Sequence, residues 1–256
     1  MSLKSIIQSY KYTEDEDIKV EQLKTTKVTS PKKIKKTTKD VSPKKKVINY
    51  TQLQDLQPSL KPDLKLLFIG FNPGVESSLT QHHYAHHSNL FWKLFNQSQA
   101  LSKVTNGEFS FKCTSELDFE LIKYSIGFSD LCLRCTKQAH ELTNDEKLEN
   151  VPRLYTEIKD NNVKNVVIIG KGVWEMIVKY EMLNMGKKKF KLSKDNFVWG
   201  EVKTGADKEY NLIIENMYDK LSQGCKLFVF PSTSGLVASM NFQDKLKLWQ
   251  DMVDKI

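Results

Sequence analysis

The segment Gly70-Phe71-Asn72-Pro73-Gly74 sets one carboxamide into a turn that its neighbours impose. Proline restricts φ and glycine frees it, so the chain bends sharply here. Asn72 stands at the tip without charge. Its carbonyl oxygen can accept from a water molecule while its NH₂ donates elsewhere. Such a group orients a water without removing its proton, although an Asn-Pro-Gly sequence by itself is equally an ordinary turn after a strand. Two other clusters bear on chemistry. Four of the five histidines fall in His82-His83-Tyr84-Ala85-His86-His87, with His82/His86 and His83/His87 at the i,i+4 spacing of a helical zinc pair. No Glu lies between them in an H-E-x-x-H pattern and the stretch reads as a loop, so no metal is expected and phosphate contact is preferred. Cys132-x-x-Cys135 lacks a second pair, since Cys113 and Cys225 stand alone, and reads as buried or idle thiols.

Strands must carry these residues. Leu66-Leu67-Phe68-Ile69 is a short apolar run ended by Gly70, as in a strand buried on both faces. Val166-Val167-Ile168-Ile169-Gly170 repeats the pattern, and Lys226–Phe230 before Pro231 makes a third run. Helices are expected over Asn89–Ser98, Thr143–Asn161, Val173–Tyr180 and Gln243–Ile256. Strands alternating with helices argue for an α/β fold, a three-layer α/β/α sandwich around a central, mainly parallel sheet. Ligands in such sheets sit beyond the carboxyl ends of the strands, which is where the Gly- and Pro-containing turns fall.

Charge divides the chain. Residues 1–60 hold 13 lysines against 7 acidic residues, which accounts for +6 of the net +8. This stretch has no Trp or Phe and no sustained apolar period, so it is read as a disordered, Lys-rich tail ahead of a catalytic domain over 61–256. Within it Ser30-Pro31-Lys32-Lys33 and Ser42-Pro43-Lys44-Lys45 repeat twelve residues apart. Lysines on an extended chain displace counterions from a phosphate backbone and also serve as import signals, so DNA contact and a nuclear location are expected. A solubilising tail is the plainer alternative. The serines before proline are candidate phosphorylation sites. Met1–Tyr10 leads into the acidic run Glu14–Asp17 rather than an apolar stretch, so no signal peptide is expected. No apolar run approaches the roughly 18 residues of a membrane span. Ser5–Tyr10 resembles only faintly the short hydrophobic peptides that dock on sliding clamps, and it lacks their spacing.

Residues 70–93, GFNPGVESSLTQHHYAHHSNLFWK, closely resemble the signature of the thymine-DNA glycosylase and mismatch-specific uracil-DNA glycosylase family: G-I-N-P-G-L, about nine residues, an aromatic, then N-x-F-W-K. Phe230-Pro231-Ser232-Thr233-Ser234-Gly235-Leu236 is similar to the family's second motif. Tyr124–Asp130 with Arg134 and Thr136 resembles its G-I-G-F-T segment, and Ile169-Gly170-Lys171-Gly172 its N-G-K turn. The resemblance implies a uracil-DNA glycosylase-like fold and a monofunctional DNA glycosylase of base excision repair. Such an enzyme flips uracil, and more slowly thymine, from a mismatch with guanine in double-stranded DNA and hydrolyses the N-glycosidic bond. It implies no cofactor and a monomer that leaves an abasic site to downstream repair proteins.

By position in the motifs, Asn72 matches the catalytic residue that would orient the water, and no lysine stands at a nucleophile position. The resemblance places Gly70, Phe71, Gly74, Val75, Ser77, His83, Tyr84, Asn89 and Asp130 around the base. Backbone N–H groups near Val75 would meet the base carbonyls, and Tyr84 would stack on the ring. Lys171, Ser232, Thr233, Ser234 and Gly235 would contact the phosphates, and Leu236 would fill the vacated stack. Two positions depart from the pattern. Asp130 replaces an Asn or Lys; a carboxylate there would repel the leaving anion unless protonated, turned away or paired with Lys123 or Arg134. Ser77 replaces the Ala of relatives active on thymine, so its hydroxymethyl is expected to crowd the thymine methyl group.

Two other readings fit parts of the sequence. A catalytically weak module binding mismatched DNA or chromatin is favoured only by Asp130. A nucleotide-binding protein using Gly70–Gly74 as a phosphate loop lacks both G-x-G-x-x-G and a terminal Lys-Ser/Thr. The Lys187-Lys188-Lys189-Phe190-Lys191 run reads either as a solvated loop or as a further phosphate contact.

Overall fold

A computed structural model describes residues 53–237 and 240–256. The expectations for residues 1–52, including the repeated lysine units, lie outside the described residues. Packing reaches back ahead of Lys61: Leu56 is buried, and Ser59 exchanges two backbone hydrogen bonds with Phe128.

Four strands run parallel, Leu66–Gly70 (β1), Ile126–Asp130 (β2), Asn165–Ile169 (β3) and Lys226–Phe230 (β5). The two-residue strand Gly200–Glu201 (β4) adds to the edge antiparallel to β5, and the order is β2-β1-β3-β5-β4. Successive side chains of a strand face opposite ways, so a sheet covered on both sides needs apolar residues at nearly every position. That is the observed pattern. Leu67, Ile69, Val166, Ile168, Leu227 and Val229 enter one core, while Leu66, Phe68, Ile126, Phe128, Phe228 and Phe230 enter the other. The first core is closed by Val151–Asp160 (α5), Lys171–Asn184 (α6) and Lys208–Tyr218 (α7). The second is closed by Phe91–Gln97 (α2), Ala100–Val104 (α3) and Phe242–Val253 (α8). The protein is a three-layer α/β/α sandwich.

The structure departs from the sequence reading at several elements. The helix expected over Thr143–Asn161 is two, Asn144–Glu149 (α4) and α5. Pro152 has no N–H to donate into a preceding turn and sits in the first turn of α5 instead. Strand β2 was not anticipated because Gly127 and Ser129 interrupt its apolar run, yet a side chain at Gly127 would strike the Ser59 carbonyl at 2.6 Å. The α7 helix, which follows the Lys-rich insertion, was also missed. It starts where Asp207 Oδ1 accepts from the amides of Glu209 and Tyr210. Among the described residues no helix is long and apolar enough to cross a membrane.

Candidate active site

After β1 the chain turns toward β2 at one edge, and after β3 it moves on toward β5 at the other. The loops therefore part between β1 and β3, opening a crevice beyond the carboxyl ends of the strands. Four segments meet there: the turn after β1, residues 130–136 after β2, Gly170–Gly172 after β3 and residues 231–237 after β5. Their closeness is direct. Residues Leu131, Cys132 and Thr136 donate backbone hydrogen bonds to Gly70, Phe71 and Pro73. A methyl group on Gly172 would come 3.2 Å from the Phe71 ring, and one on Gly170 would come 4.0 Å from Ser232 Cβ. The short helix Val75–Thr80 (α1) begins after Gly74, and the amides of its first turn, Val75 included, have no intrahelical acceptor.

Asn72 is held by its nitrogen. Nδ2 donates to Thr136 Oγ1 at 2.8 Å, the Arg134 carbonyl at 3.1 Å and the Pro73 carbonyl at 3.2 Å. Backbone carbonyls only accept, so they decide which end of the amide faces them. Oδ1 is left as an acceptor with no protein donor among the described residues.

Asp130 ends β2 opposite Gly70 in register. A side chain on Gly70 would collide with Asp130 Oδ1 and lie 3.1 Å from Tyr84 Oη, so three residues converge on one point that only glycine leaves open. Neither expected partner reaches the Asp130 carboxyl: Lys123 pairs with Glu120, and Arg134 pairs with Glu146 at 2.7 Å. Arg153 instead donates to the backbone carbonyls of Asp130 (2.6 Å) and Leu131 (3.0 Å) and pairs with Glu157. Burial pushes Asp130 up to about 6, against the lowering fields of His83 and Arg153, with Glu157 adding to the rise.

The Tyr84 ring lies flat on Phe91, with centroids 3.9 Å apart and planes 1° apart, so one face is already covered. Its hydroxyl is buried without a hydrogen-bond partner among the described residues, and burial, then the Asp130 charge, raises it well above its ordinary value. His83 is buried on the Phe128 ring (5.3 Å), and its backbone N–H and Nδ1 both meet Asp118 Oδ2 at 2.7 Å. His82 Nδ1 meets Asp118 Oδ1 at 2.8 Å. Burial works to raise the Asp118 carboxyl, but the hydrogen bonds from His83 and His82 outweigh it and hold it below the ordinary range. The histidine stretch is a loop, as expected, so its pairs never gain helical spacing. His83 is a pillar of that loop. Ser77 is buried, and its Oγ lies 3.4 Å from the Ala85 amide, in the loop that carries Tyr84. Asn89 Oδ1 accepts from the Phe91 amide at the start of α2, leaving its NH₂ for other use.

Residues 231–237 form the opposite rim. A methyl group on Gly235 would lie 2.5 Å from Ser88 Oγ and 2.7 Å from the Ser88 carbonyl, and Thr233 O accepts from the Leu90 amide at 2.8 Å. This packing fixes the loop beside the pocket while Leu236 is 95% exposed. Ser232 Oγ accepts from the Ser234 amide, and Ser234 Oγ from that of Leu236. Lys171 sits on the rim after β3, 3.3 Å from Glu175.

A family model for the uracil DNA glycosylase superfamily matches residues 57–253. The chain belongs to that superfamily. A Schizosaccharomyces pombe protein named G/U mismatch-specific uracil DNA glycosylase is 28% identical over 214 residues. The match covers 83% of this chain and 57% of that relative, so the chain spans little more than half the relative's length. The solution NMR structure of a candidate uracil DNA glycosylase from Methanosarcina acetivorans aligns over 79% of this chain and 96% of its own, with 15% identity and a TM-score of 0.38.

The crevice brings together the turn with Asn72, the Gly70–Tyr84–Asp130 cluster and the 231–237 rim. The Lys187–Lys191 run is held elsewhere, with Lys187 on Glu209 and Phe190 stacked on Tyr210. All four cysteines are buried, and burial lifts Cys132 to about 11. Thr136 and Asp118 were not singled out as site residues from sequence. Thr136 lay inside a quoted motif; nothing near Asp118 marks it.

Proposed function

We propose that this chain is a monofunctional DNA glycosylase that flips uracil, and more slowly thymine, from a mismatch with guanine in double-stranded DNA and hydrolyses its N-glycosidic bond. The observation that carries the reading is Asn72, whose NH₂ is fully engaged and whose Oδ1 has no protein donor among the described residues. That oxygen accepts from a water held beneath the sugar. The water oxygen bonds to C1′, the base departs with the electron pair of the broken bond, and the proton released goes to the base or to solvent. The transition state is cationic at the sugar, so a positioned neutral water suffices and a strong base is not required. The amides at the start of α1 and the Asn89 NH₂ donate to the base carbonyls, and Tyr84, backed by Phe91, offers its remaining face to the ring. Ser232, Thr233, Ser234, Gly235 and Lys171 hold the flanking phosphates, and Leu236 enters the stack. The protein acts as a monomer in the nucleus, and its abasic product passes to abasic-site repair proteins.

The test is a G:U duplex incubated with protein and then cleaved at abasic sites with alkali. Wild type cuts; Asn72→Ala, still binding the duplex, loses about a hundredfold or more in single-turnover rate. A second reading, a binder that does not cut, draws on Asp130, a buried carboxyl to which no cationic side chain is bonded among the described residues. No cleavage by wild type at any pH would leave only that reading.

A further inference from the structure

Resting on the reading above, we infer that Lys245 is a positioning residue for DNA phosphate, an ammonium buried beneath the 231–237 loop whose counter-anion arrives with the nucleic acid. Lys245 lies in the first turns of α8 and is 1% exposed. Its Nζ donates to the Ser232 carbonyl at 2.8 Å, and among the described residues no carboxylate pairs with it. A buried cation normally has an anion beside it, because leaving water is otherwise uncompensated. The start of a helix is also a positive dipole end, here capped by Asn241 and carrying the exposed Asp244 in its first turn, neither of which pairs with the Lys245 ammonium. Burial lowers the Lys245 ammonium from its ordinary value, and no neighbouring charge contributes. A protein-only account leaves this charge unexplained.

The geometry supplies a use for it. In a trans peptide the C=O and the following N–H point in opposite directions. Fixing the Ser232 carbonyl toward Lys245 therefore aims the Thr233 N–H the other way. That amide donates to nothing among the described residues, although Thr233 is buried. A buried donor without an acceptor is rare and waits for one. Lys245 and the Thr233 amide thus add the same sign of potential beneath one loop; the first-turn acid of α8, Asp244, is exposed and engaged with Asn241, and among the described residues no carboxylate pairs with Lys245. A phosphate on that loop completes the set.

The full chain is tested on a guanine-containing duplex whose opposing nucleotide is a tetrahydrofuran abasic analogue, which cannot be cleaved. Lys245→Met keeps the length of the side chain without its charge. Its thermal midpoint is expected to equal or exceed that of wild type, because a buried charge has gone. Its Kd for the duplex is expected to rise about tenfold or more, a larger change than in the rate on saturating G:U duplex. A hydrogen bond serving only the fold would do the reverse, lowering the midpoint and sparing the Kd. A folded variant that binds like wild type overturns the inference. Should the variant fail to fold, the wild-type Lys245 ammonium, followed by the NMR signal of its Cε, decides. Its pKa must rise when the duplex binds, and no movement refutes the proposal. Failure of these results while wild type still excises uracil sinks this inference alone; a wild type that neither binds nor cuts sinks the glycosylase reading with it.

Discussion

Replacing Asp130 by Asn tests the electrostatics of the pocket through two independent readouts. Asp130 is 6% exposed, and its carboxyl is raised from 3.8 to about 6, chiefly by burial. The folded state therefore holds the proton more tightly than the unfolded state does. Stability linked to this group is complete below the unfolded value and is lost as pH rises through about 6. The difference of about two pH units corresponds to about 3 kcal/mol at neutral pH. Asn has the same shape and no charge to desolvate. Asp130→Asn is thus expected to raise unfolding free energy by about 3 kcal/mol at pH 7.5 but only about 0.5 kcal/mol at pH 4. In a domain of this size the neutral-pH gain moves the thermal midpoint by about 6–12 °C. Urea unfolding at both pH values measures it. Excision offers the second readout. An ionised carboxylate beside the departing base anion opposes its release, so the wild-type single-turnover rate on G:U should fall as pH climbs through about 6. The Asn variant should show no such fall and be about tenfold or more faster at pH 7.5. A stability gain equal at both pH values, or a rate ratio independent of pH, would refute the assignment of a buried, titrating carboxyl to this pocket.

Three further outcomes follow from the same geometry. Leu236→Ala removes an apolar tip that touches no solvent-excluded core, so stability should stay within about 0.5 kcal/mol while excision falls about tenfold or more, read by denaturant melts beside G:U kinetics. Gly235→Ala forces a methyl group into the Ser88 backbone, and the loop must move off the pocket rim; excision should drop with it, whereas retention of the full wild-type rate would mean the rim is not needed as placed. Ser77→Ala frees the Ala85 amide and loosens the Tyr84 loop, raising the G:T rate relative to G:U; wild type itself should process G:U much faster, and equal single-turnover rates would contradict this.

The three continuous apolar runs disclosed β1, β3 and β5 because a strand buried on both faces leaves no room for polar alternation. The same rule concealed β2, where Gly127 and Ser129 are small for reasons that lie in a distant segment, the Ser59 backbone. The turn that holds Asn72 was readable locally, from its flanking Gly and Pro, whereas Leu236 was marked only by the resemblance of the 230–236 motif. What Asn72 does with its two ends was not readable, since its anchors, the Arg134 carbonyl and the Thr136 hydroxyl, lie more than sixty residues away.

Local sequence, then, settled three of the strands, β1, β3 and β5, and which turns carry exposed polar groups, because those depend on neighbours along the chain. Tertiary structure alone decided the ionisation of Asp130, the pairing of His82 and His83 with Asp118, and the burial of Lys245 under Ser232. Each of these is a matter of which groups face one another once water has been excluded, and a linear order of residues carries no measure of that.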